Sequence, residues 1–190
     1  LFLHHDLLQE VGLEEGEKDR SLQYIGRGIT SLVQLLDFGR ALRDPRPEIV
    51  SPAVLAEEAV IDMEGLATQK SIHVDLQVET AGQRIAVDPE LLRQVLVILL
   101  DNAVRYSAPH GTVRVVVSAP GAMGVVFAVS DDGPGINASD LPHVFEPGYS
   151  SQATAGKGLG LALARWIVEH EAHGGKISAE NKPEGGACFS

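Results

Sequence analysis

The stretch that most restricts the fold of this chain is an apolar run that ends at two acidic residues and two closely spaced glycines. Residues 123-MGVVFAVS-130 read as a buried strand, and 131-DDGPGI-136 follows without a break. This density of glycine and proline predicts a sharp turn, and glycines let a backbone approach a ligand closely because they lack a Cβ. Asp131, at the strand end, can accept from a donor such as an exocyclic amine. Taken alone, the pattern also fits an ordinary turn.

The composition indicates a globular chain that does not bind nucleic acid. With 190 residues and 44% hydrophobic content the chain can form a real core. The 26 acidic against 15 basic residues, a net charge of -11, argue against a nucleic-acid surface, although a local site for a small polyanion remains open. Cys188 is the single cysteine, which excludes an internal disulfide and a multi-cysteine metal site and suits a reducing cytosol.

The chain also lacks the sequence patterns of membrane insertion and secretion. No apolar run reaches the roughly 18 residues of a membrane span, and the start, 1-LFLHHDLLQE-10, lacks the features of a signal peptide. It opens without Met on a helical pattern, so we expect a fragment of a longer protein. We predict a cytoplasmic location, either as a free protein or as the cytosolic part of a membrane-anchored sensor.

Two prolines divide the chain. Residues 18–44 show helical spacing of apolar residues, and 44-DPRP-47 ends that helix and stiffens a linker, which predicts domains at 1–46 and 47–190. The second domain alternates strand and helix patterns, which predicts an α+β fold with an antiparallel or mixed sheet and helices on one face. The expected helices are 52–70, 89–107 and 159–174, and the expected strands are 72–79, 83–88, 112–119, 123–131, 175–181 and 186–190.

The helix predicted at 89–107 carries polar residues in line with its apolar stripe. Val95, Ile98 and Leu99 are continued by Asn102 and Tyr106 at steps of three and four, so we expect a carboxamide and a phenol on the core-facing side. Asn102 can be a structural residue bonded to a neighbouring turn. It can equally offer a neutral oxygen to Mg²⁺, which keeps several waters and relies on substrate phosphates for other ligands. Both interpretations stay open on this helix alone.

A third element is a run of alternating glycines at a predicted helix start, 156-GKGLGLALAR-165. Backbone N-H groups and the helix dipole there favour an anion, and Lys157 adds a charge, although simple helix capping is the alternative. The segment before it, 137–157, is rich in Gly, Ser, Ala and Thr around one apolar anchor, Phe145. This composition is typical of a mobile lid.

Four blocks together resemble a known family. The blocks 94-QVLVILLDNAVRYS-107, 131-DDGPGI-136, 144-VFEPGYSS-151 and 156-GKGLGLA-162 resemble the N, G1, F and G2 boxes of bacterial sensor histidine kinases. The ATP-binding domains of these kinases belong to the gyrase and heat-shock-chaperone superfamily. Four boxes in order are specific, unlike any single glycine pattern. Over about residues 50–190 the resemblance implies an α/β sandwich that binds ATP, preceded by a helical hairpin that forms a dimeric four-helix bundle.

The resemblance also implies roles for individual residues. Asn102 would bind the Mg²⁺ that bridges the triphosphate, Asp131 would accept from the adenine amine, and Tyr106 would pack near the adenine. Arg105, where the family often has lysine, would reach a phosphate, and Phe145 would anchor the lid. The glycines of the last block, Gly156, Gly158 and Gly160, would wrap the phosphates. The full set expected around the nucleotide is Asn102, Arg105, Tyr106, Asp131, Gly133, Gly135, Ile136, Lys157, Gly158, Leu159 and Gly160.

One position departs from the family pattern. The first asparagine of the N box is replaced by Ile98, and ATP-hydrolysing relatives such as gyrase carry a water-activating glutamate there. Ile98 cannot activate water, which favours delivery of the γ-phosphate to a protein nucleophile over hydrolysis. Asp101 lies about 100° away around the helix and would substitute only in part.

The family's phosphate acceptor is a histidine followed by an acidic residue. His5 and Asp6 fit this pattern, since a carboxylate can hold the imidazole in the tautomer whose free nitrogen attacks phosphorus. His4 is the competing acceptor, and two surface histidines at a frayed terminus are the alternative. The sequence from His5 to residue 18 is short for the family, so the first helix is either shortened or incomplete. His173, in 173-HGGK-176, is predicted to be structural.

These features predict a sensor histidine kinase that autophosphorylates with Mg²⁺ and ATP and passes the phosphate to an aspartate of a response regulator. We expect a homodimer through the N-terminal helices, with no nucleic acid and no membrane contact within this stretch. A docking module with an idle nucleotide site is the first alternative. A protein-serine kinase of the anti-sigma-factor type is the second, although those proteins lack a long dimerising helix such as 18–44.

Overall fold

The computed structural model describes residues 39, 43–80, 82–121, 124–149, 158–170 and 172–190. Nearly all of the predicted hairpin at 1–46, with His4, His5 and Asp6, lies outside the described residues. None of the helices in the described ranges is long and apolar enough to span a bilayer. The elements are β1 (Glu48–Val50), α1 (Pro52–Gln69), β2 (His73–Glu79), β3 (Ile85–Val87), α2 (Pro89–Tyr106), β4 (Thr112–Ser118), β5 (Val126–Ser130), a 3₁₀ turn (Leu141–His143), α3 (Gly160–Val168), β6 (Ala179–Asn181) and β7 (Ala187–Phe189).

The main sheet is mixed, as predicted. Its strand order is β2-β4-β5-β7-β6, with β2 and β4 parallel and the remaining neighbours antiparallel. A separate two-stranded sheet pairs β1 with β3, and Glu48 lies opposite Val87. The α+β class is therefore confirmed for the described part of the chain.

The core lies between the helices and one face of the main sheet. Val113, Val115 and Val117 are buried on β4, whereas Arg114 between them is exposed, as the alternation of a half-buried strand requires. Helix α2 lies between α1 and α3 and contacts both. Its buried residues are Leu91, Val95, Leu96, Leu99, Leu100, Ala103 and Val104. The helix that carries the predicted N box is thus packed against α1, α3 and the main sheet.

Helix α3 is shorter than predicted: it ends at Val168, not at 174. The side chain of His173 bonds the carbonyl oxygen of Ile167 at 2.7 Å, and the Gly175 N-H donates to the Val168 carbonyl at 3.1 Å. Gly174 has a φ of +60°, the left-handed conformation common after a helix end. These contacts satisfy the last carbonyls of α3 from outside the helix. The last two strands are also shorter than predicted, at 179–181 and 187–189.

Candidate functional site

The carboxylate of Asp131 is fixed by backbone donors immediately after β5. The residue is 3% exposed, and its Oδ1 accepts from the N-H groups of Gly133 at 2.9 Å and Ala187 at 3.3 Å. No described residue donates a hydrogen bond to Oδ2. This second oxygen is also not fully buried, so it stays accessible. A carboxylate held in this way is oriented by the protein and keeps one oxygen for an outside donor.

The glycines of the 131–136 turn are required by close approaches. A Cβ on Gly133 would lie 2.3 Å from the carbonyl oxygen of Tyr106, the last residue of α2. Gly135 has a φ of +76°, and a Cβ there would lie 2.8 Å from Oδ1 of Asn181 on β6. The turn therefore lies directly between the C-terminal end of α2 and the edge strand of the sheet, as close as backbone allows.

Asn181 is a positioning residue that the sequence did not reveal. Its Oδ1 accepts from the Ile136 N-H at 2.7 Å, and its Nδ2 donates to the Ile136 carbonyl at 2.6 Å. Gly186, also missed, has a φ of +86°, and a Cβ there would lie 2.0 Å from the carbonyl oxygen of Asp131. An asparagine in a strand, where this residue type is depleted, was the one available signal.

Helix α2 presents its polar residues along its edge and not towards the core, which corrects the expectation for Asn102 and Tyr106. Asn102 is half-buried and Tyr106 is 36% exposed. The core stripe runs through Val95, Leu99 and Ala103, and Ile98, Asn102 and Tyr106 follow at steps of four on the neighbouring edge. The stripe of Ile98, Asn102 and Tyr106 therefore lies one residue round the helix from the core stripe, at its border with solvent.

This edge of α2 faces the start of α3. A Cβ on Gly160 would lie 3.4 Å from Cγ2 of Ile98, so the Ile98 side chain lies next to the first residue of α3. Leu159, at the N-cap, makes no side-chain capping bond. The first N-H groups of α3 therefore lack a side-chain cap and remain suited to an anion. The side chain of Asn102, one turn beyond Ile98, has no hydrogen-bond partner among the described residues.

The base of the predicted lid is closed by backbone contacts. The Gly148 N-H donates to the Gly158 carbonyl at 3.1 Å. Gly158 has a φ of +64°, and a Cβ there would lie 2.1 Å from the carbonyl oxygen of Tyr149. Residues 150–157, which include Gly156 and Lys157, lie outside the described ranges. The predicted contacts of those two residues remain predictions.

Phe145 anchors the described part of this segment, as its sequence suggested. Its ring meets that of Phe189 edge-on at 6.2 Å, and the Arg165 guanidinium lies 6.0 Å from the ring centroid. Nearby, a hydrogen bond between Tyr149 and Asp140 raises the pKa of the phenol and lowers the pKa of the carboxyl. The segment is thus anchored on the rest of the domain at Phe145, whereas the Tyr149–Asp140 contact joins two parts of the segment itself.

Arg105 is engaged within its own helix. Its Nε donates to Oδ2 of Asp101 at 2.6 Å, an ion pair one turn apart on the exposed side. A phosphate contact by Arg105 would therefore compete with this pair. The same bond occupies Asp101, the acid weighed as a partial substitute at the Ile98 position.

The donor set suits Mg²⁺ only together with a phosphate-bearing ligand. Within the described ranges no group of three or more His, Cys, Asp or Glu side chains could hold a metal ion. Asn102 supplies one neutral oxygen, and Mg²⁺ commonly takes few protein ligands, several waters and substrate phosphates. The residues fit such an ion without defining a site for it alone.

Comparisons with known proteins agree with this geometry. Residues 87–190, more than half of the chain, match the family described as histidine kinase-, DNA gyrase B- and HSP90-like ATPase, and the chain belongs to this family. Within it the chain is homologous to sensor histidine kinases. It is 32% identical over 146 residues to the adaptive-response sensory kinase SasA of Nostoc sp., a match that covers 75% of this chain and 36% of SasA. The chain therefore spans about a third of the length of that relative.

Solved structures of histidine kinases share the fold. The catalytic domain of histidine kinase ThkA superposes with a TM-score of 0.67 at 25% identity, covering 76% of this chain and 92% of that one. Full-length ShkA in complex with AMPPNP gives a TM-score of 0.74 at 28% identity, covering 93% of this chain and 38% of ShkA.

Proposed function

We propose that this chain is the ATP-binding and phosphoacceptor part of a sensor histidine kinase of a two-component system. The observation that carries the proposal is the Asp131 carboxylate, buried, held by two backbone N-H groups at Oδ1, and unoccupied at Oδ2 by any described residue. A single acceptor oxygen in a fixed position suits the amino group of adenine. The family membership and the ShkA complex with an ATP analogue support a nucleotide ligand.

The triphosphate would extend from Asp131 along the edge of α2 towards the start of α3. Asn102 would bind Mg²⁺, which would neutralise charge on the phosphates. The N-H groups from Gly158 to Gly160 would bind phosphate oxygens, and Arg105 would exchange Asp101 for a phosphate. Tyr106, Gly133, Gly135 and Ile136 would line the base, and Lys157 and Leu159 the phosphates.

The chemistry would be transfer to a protein nucleophile. Ile98 lies next to the start of α3 and offers no group that could take a proton from water. A nitrogen of His5, oriented by Asp6, would attack the γ-phosphorus, so that a P–N bond forms as the bond to ADP breaks. The phosphate would then pass to an aspartate of a response regulator.

The proposal includes the organisation of the whole protein. Residues 1–46 would form the dimerisation and phosphotransfer helices of a homodimer, and residues 47–190 the ATP-binding domain. The protein would act in the cytoplasm as a phosphoprotein. A docking module without nucleotide binding is the competing function, and calorimetry with ATP and Mg²⁺ separates the two.

The test compares two neighbouring acids. Asp131→Asn should abolish measurable ATP binding, because the amide would offer N-H groups or a weaker acceptor to the adenine amine. Asp132→Asn is the matched control: Oδ2 of Asp132 accepts from the Thr112 N-H at 2.8 Å and holds the start of β4. Unchanged ATP affinity in Asp131→Asn would refute the site.

Phosphorylation is followed with γ-labelled ATP. We expect acid-labile, base-stable label in the wild type and none in His5→Gln. Label that persists in His5→Gln but is lost in His4→Gln would move the acceptor to His4. Absence of ATP binding by the wild type with Mg²⁺ would favour the docking function.

A further inference from the structure

Arg43, just ahead of the proline linker, is bound to the beginning of α2. Its Nη1 donates to Oδ2 of Asp88 at 2.7 Å, and its Nη2 donates to Oδ1 of Asp88 at 3.0 Å. The same Nη2 donates to Oε2 of Glu90 at 2.9 Å. The Arg46 N-H adds a bond to Oδ2 of Asp88 at 2.7 Å. The linker is thus fastened by one side chain and one backbone group to the same carboxylate.

Asp88 is a rigid point of attachment. It is 1% exposed, and its Oδ1 accepts from the Leu91 N-H at 3.1 Å as the N-cap of α2. Its own N-H donates to Nε2 of His173 at 3.2 Å, while the other ring nitrogen of His173 lies 2.7 Å from the Ile167 carbonyl. Burial opposes ionisation of Asp88, but the hydrogen bonds from Arg43, Arg46 and Leu91 outweigh it and bring its pKa to about 2. The carboxylate is therefore charged at any physiological pH.

The attachment reaches further towards the N-terminus than the strand pairing that holds the start of the domain. Pairing of β1 with β3 already secures the chain from Glu48 onwards, opposite Val87. Arg43 adds a contact five residues further towards the N-terminus, across 45 residues of sequence. Because a bidentate arginine–carboxylate pair fixes both distance and orientation, the direction in which the chain leaves the ATP-binding domain is set at this point.

The helix that receives this contact is the one that carries Ile98, Asn102 and Tyr106. We propose that Arg43 is a positioning residue for phosphoryl transfer: through Asp88 and Glu90 it fixes the exit of the preceding segment relative to α2, and so sets how often the acceptor histidine meets the γ-phosphate. The inference rests on the proposed function. Restricting the relative positions of two tethered groups raises their effective concentration without any new contact at the reacting atoms.

The first test separates turnover from nucleotide binding. Arg43→Met keeps much of the apolar stem but loses the contact that orients the preceding segment. The acceptor histidine should then meet the γ-phosphate less often, and the autophosphorylation kcat should fall roughly tenfold. KM for ATP, and Kd for ATP by calorimetry, should stay within about twofold, since no nucleotide contact changes. Arg43→Lys keeps the charge but not the fork, and should give an intermediate kcat. A purely structural role would instead raise Kd and KM together with the loss of stability, which would overturn the inference.

Two further variants locate the effect. Glu90→Gln removes the exposed partner and leaves Asp88, so it should reduce kcat less than Arg43→Met. Arg114→Met is the matched control: its Nε pairs with exposed Asp75 at 3.4 Å, away from the linker contacts, and kcat should be unchanged. Equal kcat values in Arg43→Met and the wild type would also overturn the inference.

A readout without phosphorylation distinguishes failure of the inference from failure of the proposed function. In Arg43→Met the Arg46 amide, which donates to Asp88, should lose more hydrogen-exchange protection than the core amides of α2, whose protection falls only by the change in global stability. If the wild type binds ATP but takes up no label, the proposed function fails. If the wild type takes up label and Arg46 exchange is unchanged in Arg43→Met, only the positioning role fails.

Discussion

The side chain of Asn181 pairs with both backbone polar groups of Ile136, much as a neighbouring strand would. It accepts from the Ile136 N-H at 2.7 Å and donates to the Ile136 carbonyl at 2.6 Å. Gly135 makes this approach possible, since a Cβ there would lie 2.8 Å from Oδ1 of Asn181. The turn that follows Asp131 is therefore positioned by the edge strand β6 and does not depend on its own hydrogen bonds alone.

Asn181→Ala should weaken ATP binding more than it weakens the fold. The N-H and the carbonyl of Ile136 would then hydrogen-bond to water, and the loop 131–136 would sample other positions. We expect ATP affinity to fall roughly three- to tenfold, about 1 kcal/mol, measured by calorimetry. Glu180→Ala, at the exposed neighbouring position, is the control and should bind as the wild type does. Equal affinities for both variants would show that the turn holds its position without Asn181.

Lys70 caps the C-terminal end of α2, close to Tyr106. Its Nζ donates to the carbonyl oxygens of Val104 and Arg105 at 3.0 and 2.9 Å, next to Tyr106. Lys70→Met should lower the free energy of unfolding by about 1 kcal/mol, because two carbonyls and the negative end of the helix dipole lose a cation. Urea unfolding measures this loss.

The same change should weaken ATP binding, since the Tyr106 carbonyl lies against Gly133. Lys182→Met is the control, because Lys182 makes a surface contact with Glu184 at 3.9 Å. A Lys70 variant with normal stability and normal affinity would contradict the role assigned to the cap.

The parts of the site that the sequence predicted are those with short-range signals. The apolar run before Asp131, the spacing of Asn102 on an amphipathic helix, and the glycines before α3 each follow from local periodicity or turn chemistry. The helices α1 and α2 were predicted to within a residue because prolines mark both starts and apolar stripes run through both.

The contacts that the sequence did not predict join residues far apart in the chain. Asn181 with Ile136 and Arg43 with Asp88 are each separated by 45 positions, and no periodicity links them. The end of α3 was wrong for a different reason: the His173 side chain, six residues on, satisfies the Ile167 carbonyl, so the chain after Val168 needs no further helical hydrogen bonds. Tyr106 was misplaced because a step of four continues along a helix edge as readily as along its core face.

Two glycine substitutions should separate ATP affinity from folding stability. Gly133→Ala places a Cβ 2.3 Å from the Tyr106 carbonyl, so the turn must move away from α2 and ATP affinity should fall at least tenfold. A Cβ added at Gly65, inside α1, would meet no neighbouring atom within 4 Å. Gly65→Ala should therefore raise the free energy of unfolding by about 0.5–1 kcal/mol and leave ATP binding unchanged. Calorimetry and urea unfolding on both variants check the pair.

Acid should remove the stability that Arg43 contributes. The pKa of Asp88 is lowered from 3.8 to about 2 in the folded protein, where burial opposes but Arg43 and two backbone N-H groups favour the charged form. A lowered folded pKa contributes stability above the unfolded pKa, and this contribution is lost as the pH falls through 4 towards 2. The shift corresponds to about 2 kcal/mol, shared among the three donors.

Arg43→Met should therefore be less stable than the wild type by about 1–2 kcal/mol at pH 7, and the difference should shrink between pH 4 and pH 2 as Asp88 becomes protonated in both proteins. Urea unfolding at pH 7, 4 and 3 gives the two curves. Arg114→Met removes an exposed ion pair and should differ little from the wild type at each pH. A constant gap between Arg43→Met and the wild type across this range would mean that Arg43 stabilises the fold through packing of its stem and not through the charge of Asp88.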